Sequence, residues 1–111
     1  MKQQPKLVAI IIIAMFAASA HAAEMPEYTI TIKDHIFTPA TVEVPADTKI
    51  RLIVKNEDAT PEEFESNDFH REKIIKGKSQ AKILVGPLAP GEYKFFGEFN
   101  EATAQGKLVV K

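Results

Sequence analysis

The chain has 111 residues, contains no cysteine and carries a formal net charge of −1 at pH 7. The absence of cysteine excludes disulfides, thiolate catalysis, cysteine-ligated zinc and iron–sulfur clusters. The nearly balanced charge, without a basic stripe, gives no indication of nucleic-acid binding.

The N-terminal segment predicts an export signal. Lys2 and Lys6 precede an apolar run of 12 residues, Leu7 to Ala18, which is too short to span a bilayer. Ala20-His21-Ala22 fits the small-x-small cleavage rule, so we expect residues 1–22 to be removed. Two of the 14 basic residues leave with this segment, so 12 remain against 15 acidic ones, a net charge of −3. These features predict a periplasmic protein that is not inserted in a membrane after cleavage.

The remaining 89 residues predict one small all-β domain. Apolar and polar residues alternate in several short segments, which is typical of half-buried strands. In chain order, the predicted strands are 28–33, 42–44, 50–55, a strand from Phe64, 72–75, 80–85, 92–96 and 107–110. Turn residues separate them, as in Phe37-Thr38-Pro39 and Asn56 to Pro61. The pattern allows a β-sandwich or a small barrel, with a short tail at 23–27 and a short helical turn near 67–72.

The order of several motifs resembles that of the cupredoxins. Leu88 to Phe95 resembles the L-x-P-G-x-Y-x-F strand that leads to their ligand loop, and Gly106 to Val110 resembles their closing G-x-L-x-V strand. Phe37-Thr38-Pro39, Asn56-Glu57-Asp58 and Glu62-Glu63-Phe64 precede these strands in the family's order. The resemblance covers nearly all of residues 28–111. It implies a Greek-key β-sandwich of seven to eight strands.

The copper ligands of that family are replaced in this chain. The family's first His falls on Glu62 or Glu63, its Cys on Gly97, its second His near Asn100 or Glu101, and its Met near Ala104. A blue-copper centre depends on a Cys thiolate together with two imidazoles. The sequence therefore excludes type 1 copper and blue-copper electron transfer.

A closer resemblance is to the Cys-less EfeO-type cupredoxins. It lies in DHIFTP (34–39), TPEEFES (60–66), FHREK (69–73) and FFGEFNEATAQG (95–106). Such proteins are small, periplasmic and found with bacterial iron-permease uptake systems; where they often read G-E-F-H, this chain has Asn100 in place of the His. The resemblance implies an accessory protein that binds or relays iron, or copper, and a periplasmic or inner-membrane iron-transport partner.

The candidate metal ligands lie on loops that meet at one end of a cupredoxin sandwich. By this resemblance they are His35, Glu63, Glu65, Glu98, Glu101 and His70. Alternation with a core-facing Phe64 places Glu63 and Glu65 together on the opposite face of their strand, and the flanking Phe96 and Phe99 predict partial burial of Glu98. Oxygen ligands with one or two imidazoles suit iron or copper(II). Ordinary readings remain open, with His35 as a turn residue, His70 as a surface residue and the carboxylates as solvated side chains.

Two further functional interpretations compete with metal handling. The first is a metal-free interaction module that docks on a permease, an oxidase or another periplasmic protein. The second is an iron oxidase, which we rank lowest because no motif supplies a nucleophile with a base and a lone Cys-less cupredoxin lacks further copper centres. We therefore expect the protein not to be an enzyme.

Overall fold

The computed structural model describes Gln3 and residues 24–111. Within this part of the chain, nine strands and one 3₁₀ turn, Glu98–Asn100, follow one another. The strands are β1 Glu27–Lys33, β2 Ile36–Thr38, β3 Thr41–Val44, β4 Ile50–Asn56, β5 Glu62–Ser66, β6 Arg71–Ile75, β7 Ser79–Val85, β8 Gly91–Gly97 and β9 Gln105–Val110. The predicted all-β sandwich is confirmed, with one strand more than expected. The predicted signal peptide, residues 1–22, lies outside the described residues except for Gln3.

Hydrogen bonds join the strands into two sheets. One has four strands in the order β2-β1-β4-β7, and the other has five in the order β3-β9-β8-β5-β6. The pairs β1–β4 and β3–β9 are parallel, and the remaining neighbours are antiparallel. Strand β6 therefore forms one edge of the five-stranded sheet, next to β5.

The core lies between the two sheets because alternate residues of the strands are apolar and turn inward. Phe37, Phe64 and Phe95 form its aromatic centre, with ring centroids 5.2 Å apart for Phe37–Phe95 and 5.0 Å apart for Phe64–Phe95. Removal of apolar side chains such as these from water is the main source of stability for a fold of this kind. The same aromatic centre supports β5 and β8, the strands that lead to the candidate ligands.

The chain reverses earlier than the sequence predicted. Phe37 and Thr38 belong to β2, which pairs with β1, so the expected turn at Phe37-Thr38-Pro39 is wrong at its first two positions. The reversal occurs instead at Asp34 and His35, whose φ angles are 52° and 59°. Two consecutive positive φ values match a two-residue type I′ hairpin turn. Such turns usually contain Gly. Because Asp34 and His35 occupy both positions, the sequence did not indicate a turn here.

Helical structure is sparse. The short helical turn that the sequence allowed near 67–72 is a hydrogen-bonded turn at 67–70 between β5 and β6. In residues 24–111 the structure contains no helix long and apolar enough to cross a membrane.

Candidate metal centre

Strand β5 presents acidic residues on both of its faces. Glu62, Phe64 and Ser66 face the interior and are almost fully buried. Glu63 and Glu65 alternate with them on the outer face of the five-stranded sheet, as the sequence predicted. Glu63 is nevertheless only 7% exposed. A carboxylate that is covered to this extent requires a partner.

Glu63, Glu65 and Glu98 come together to form what we call the carboxylate cluster. One carboxylate oxygen from each residue lies within 4.8 Å of the others. Glu98 begins the 3₁₀ turn that follows β8, and β8 is the neighbour of β5 in the sheet. The strand and the turn thus deliver three oxygen ligands to one point.

The pKa values of the cluster reflect crowding of like charges. A shared hydrogen bond with Glu72, followed by burial and by the neighbouring Glu98, raises the pKa of Glu63 from 4.5 to about 7. A shared hydrogen bond with Glu98, followed by burial and by nearby carboxylates, raises the pKa of Glu65. Across residues 24–111 no lysine or arginine forms an ion pair with any of these four carboxylates. A group of neighbouring carboxylates without a basic partner lowers its energy by holding protons or by binding a cation.

The positions aligned with the family's copper ligands meet inside the sandwich, around Glu62. A Cβ atom at Gly97 would lie 2.6 Å from Cδ of Glu62 and 2.7 Å from Cβ of Ala104. The side-chain amide of Asn100 donates to Oε2 of Glu62 at 2.7 Å. Of the two residues that the sequence left open for the first His position, Glu62 is therefore the one beside the other ligand positions. A hydrogen-bonded carboxylate fills this space without thiolate or imidazole, so these positions do not fit type 1 copper.

His35 lies in the β1–β2 turn, beside Asp58. Asp58 accepts the backbone N–H of Asp34 at 2.8 Å and that of His35 at 3.0 Å, and Nδ1 of His35 is 3.5 Å from Oδ2 of Asp58. Burial acts to raise the pKa of Asp58, but the two backbone donors and the charges of His35 and Lys78 outweigh it and lower the pKa. The carboxylate cluster does not include His35. Its assignment as a ligand stays a prediction, and the structure gives it a role in the turn.

The remaining candidates lie around the cluster. His70 is exposed in the turn before β6 and lines a groove of about 440 Å³ together with Glu65 and Glu72. Glu101 follows the 3₁₀ turn, is exposed and contributes to the raised pKa of Glu65. Glu98 is exposed, so the predicted partial burial is wrong; the flanking Phe99 is itself 49% exposed and does not cover it.

Sequence reasoning missed Glu72 and the role of Glu62. Glu72 pairs with Glu65 across the β5–β6 hairpin. The four-residue turn between these strands was the signal for this register, because an antiparallel hairpin fixes which residues face each other. Glu62 lies two residues before Phe64 in β5, so its side chain points to the same, inner face of the strand, where a carboxylate is unexpected.

The donor set determines which ions fit. Carboxylate oxygens are hard ligands, which suit hard cations and iron better than copper(I). The cluster supplies three such ligands at compatible distances. Within the described part of the chain, the ligand atoms of this cluster lie close enough together to hold one metal ion.

Comparison with known families gives the class of the protein. The family model described as "Cupredoxin-like domain" matches residues 6–110. The chain belongs to the cupredoxin-like domain family. It is also similar to an uncharacterized protein of Rickettsia prowazekii (strain Madrid E), with 56% identity over 84 residues that cover 76% of this chain and 67% of the relative.

Solved structures agree on the fold. Auracyanin B superimposes with a TM-score of 0.69 at 14% identity, covering 79% of this chain and 91% of its own. A structure described as a copper binding protein in the apo form superimposes with a TM-score of 0.67 at 18% identity, covering 77% of this chain and 86% of its own. At these identities the likeness establishes the cupredoxin-like fold, one found in metal-binding proteins, without transferring their ligands to this chain.

Proposed function

We propose that the protein is a periplasmic accessory that binds a hard metal cation, iron in the first place and copper(II) in the second, at the carboxylate cluster. The observation that carries this proposal is the approach of Glu63, Glu65 and Glu98 to within 4.8 Å, with no basic partner among residues 24–111. A cation there would replace the shared protons and neutralise the repulsion between the carboxylates.

The biological setting is part of the same proposal. The apolar N-terminal run and the Ala20-His21-Ala22 site support export and cleavage, and the quoted motifs support membership in the EfeO-type, Cys-less subgroup. We infer a role in relaying iron to a periplasmic or inner-membrane transport partner. The protein acts in this scheme as a carrier and not as an enzyme.

The test is cation-dependent thermal stability of the chelator-treated protein. Fe²⁺ under anaerobic conditions, Fe³⁺ and Cu²⁺ are added separately and the melting temperature is measured. A ligand that binds only the folded state stabilises it by about 2.7 kcal/mol at 100 times its Kd. For a domain of this size that energy corresponds to a rise of roughly 10 °C or more. We expect such a rise with at least one iron species.

Matched variants locate the effect. E63Q and E98Q keep the side-chain shape, remove a charge and are expected to abolish most of the cation-induced shift. E57Q is the control, because Glu57 is an exposed carboxylate on the loop after β4, and it should respond as the wild type does. A melting temperature indifferent to all three ions, or equal shifts in E63Q and E57Q, would contradict the proposed site.

A second candidate is a metal-free docking module. It is favoured by the exposure of Ile74 and Phe99, which are 59% and 49% exposed. Ile74 pairs with Glu63 across the β5–β6 hairpin, and Phe99 directly follows Glu98. Such apolar side chains next to uncompensated carboxylates suit a partner with basic and apolar groups. Indifference to cations together with a partner lost in I74S and F99S variants would favour this candidate.

A further inference from the structure

Glu62 is a carboxylate inside the sandwich whose oxygens are supplied with donors. It is 1% exposed. Its Oε1 accepts the backbone N–H of Glu63 at 3.0 Å and that of Phe99 at 2.9 Å, and its Oε2 accepts the amide of Asn100 at 2.7 Å. Burial of a carboxylate is costly unless it is hydrogen-bonded, and bonds to a charged acceptor are stronger than neutral ones. This carboxylate therefore holds its three donors firmly.

Two of these donors belong to the residues that directly follow Glu98. On the other side of Glu98, Gly97 pairs with Phe64 of β5 and donates its N–H to the carbonyl of Ala104 at 2.9 Å. Glu98 is thus fixed by the sheet on one side and by Glu62 on the other. Its exposed side chain projects from a backbone with little freedom.

The third donor links Glu62 to the opposite part of the carboxylate cluster. The N–H of Glu63 bonds to the same Oε1 atom that accepts Phe99 N–H. One buried oxygen therefore joins the backbone of β5 at Glu63 to the turn that carries Glu98.

The packing around Glu62 shows that the arrangement depends on its neighbours. A side chain at Gly97 would collide with the Glu62 carboxylate, since its Cβ would lie 2.6 Å from Cδ and 2.9 Å from Oε1. Glycine leaves the space that the carboxylate occupies. Only a carboxylate accepts hydrogen bonds at both of its oxygens. A glutamine at position 62 would place its NH₂ group, a donor, against one of the N–H groups that now donate to Glu62.

We propose that Glu62 is a positioning residue for the cation site: its hydrogen bonds to the 98–100 turn hold Glu98 at the distance from Glu63 and Glu65 that one shared cation requires. Glu62 does not contact the ion. This inference rests on the proposed function for the cation, whereas the hydrogen bonds that it invokes are tested without any ion.

Two variants change the hydrogen bonds while leaving the carboxylate cluster in place. N100A removes one donor and leaves Glu62 intact. E62Q/N100D exchanges the amide and the carboxylate, so that the donor and acceptor roles are reversed and the net charge is unchanged. The control is V85A, because Val85 is 1% exposed and pairs with Ile50 at the start of β4, in the four-stranded sheet that contains neither Glu62 nor the strand before the 98–100 turn.

The readouts are the Kd for anaerobic Fe²⁺ and for Cu²⁺, the melting temperature, and hydrogen exchange of the Phe99 amide in chelator-treated protein. Loss of a group that orients a metal ligand typically weakens binding by about 10- to 100-fold. We expect N100A to weaken cation binding by about tenfold and to speed exchange at Phe99. E62Q/N100D should recover most of the cation affinity and most of the slow exchange at Phe99. V85A removes buried methyl groups and should lower the melting temperature without changing the Kd values or the exchange at Phe99.

The proposal is overturned if N100A binds the ions as the wild type does, or if V85A weakens binding as much as N100A at an equal loss of stability. Should N100A not fold, E62Q/N100D carries the test, because binding by it at wild-type affinity requires the reversed pair to position the turn. If the wild type binds none of the ions, the proposed function fails. In that case only hydrogen exchange at Phe99 tests whether Glu62 holds the 98–100 turn. Exchange in N100A equal to that of the wild type would overturn the positioning role of Glu62.

Discussion

At the scale of single residues, Glu63 combines burial with neighbouring negative charge. It is 7% exposed, and its carboxyl group shares hydrogen bonds with those of Glu72 and Glu98. Natural proteins usually place a basic side chain or backbone donors beside such a residue. Its charged form is therefore disfavoured in the folded, cation-free protein, and this has a direct consequence for the pH dependence of stability.

We predict that the cation-free protein becomes less stable as the pH rises from about 4.5 to about 7. Glu63 has a pKa of about 7 when folded, against the ordinary value of 4.5 for a glutamate side chain. Below pH 4.5 it is protonated in both states and its contribution to stability is complete; at higher pH the unfolded chain ionises first, so that contribution is lost by the time the pH passes the folded pKa. Glu65 shifts in the same direction and adds to the trend. Melting temperatures between pH 5 and pH 8 measure it.

The variant E63Q should flatten this pH dependence, and E57Q should leave it unchanged. Asp58 does not interfere, because its pKa is lowered from an ordinary value of 3.8 and its contribution therefore changes near and below that value, beneath the range from pH 5 to pH 8. A bound cation should also remove the decline, since it competes with the protons for the same oxygens. A wild-type melting temperature that rises steadily over this pH range would contradict the prediction.

At the scale of elements, the β1–β2 turn has its own anchor and does not need a metal. Asp34 and His35 both have positive φ angles, and both donate their backbone N–H to Asp58. These bonds join the turn to the loop after β4. A His in this position is therefore explained by local structure, although the family resemblance presented it as a ligand.

The variant H35G separates these two roles. Glycine adopts positive φ without steric cost and keeps the backbone N–H that Asp58 accepts. Loss of the partly exposed contact between Nδ1 of His35 and Asp58 changes the free energy of unfolding by at most about 1 kcal/mol. We expect the Kd for Fe²⁺ and Cu²⁺ to be unchanged. Isothermal titration and thermal unfolding measure both quantities.

The control D58A removes the acceptor of two N–H groups and should cost about 1–3 kcal/mol. A weaker affinity in H35G at unchanged stability would show that the imidazole ligates the ion, and the site would then have to extend beyond the carboxylate cluster.

Alternation made much of this element-level arrangement predictable. Period two in the sequence correctly placed Glu63 and Glu65 on one face, because the neighbouring Phe64 is a strong core residue. The approach of Glu72 and the interior position of Glu62 depend on cross-strand register and on contacts with a turn 37 residues away. Local patterns carry no information about such contacts unless the turn type is recognised. The exposure of Glu98 was missed for the same reason, since flanking aromatic residues do not reveal the direction of a turn.

At the scale of the whole molecule, the sandwich is retained while the ligand positions have changed. The core is built mainly from strand residues of both sheets, whereas Gly97 and Asn100 lie at and beyond the end of β8; Ala104 follows them but belongs to the core cluster. Residues at strand ends and in loops change with little effect on the core, so one fold supports different sites. The fold alone therefore does not determine an ion; in the proposed function the carboxylate cluster does.

This division of roles predicts that the chain from Ala23 to Lys111 is a complete folding unit. Both sheets and the core cluster are built from residues 27–110, and a domain of this size normally unfolds in one cooperative step. We expect this shortened chain and the full chain to melt within about 2 °C of each other, which for such a domain corresponds to less than about 0.5 kcal/mol. Both should show the same cation-induced shift. A broad, non-cooperative transition in the shortened chain alone would mean that residues before Ala23 belong to the fold, and the proposal that they are a removable signal would then be wrong.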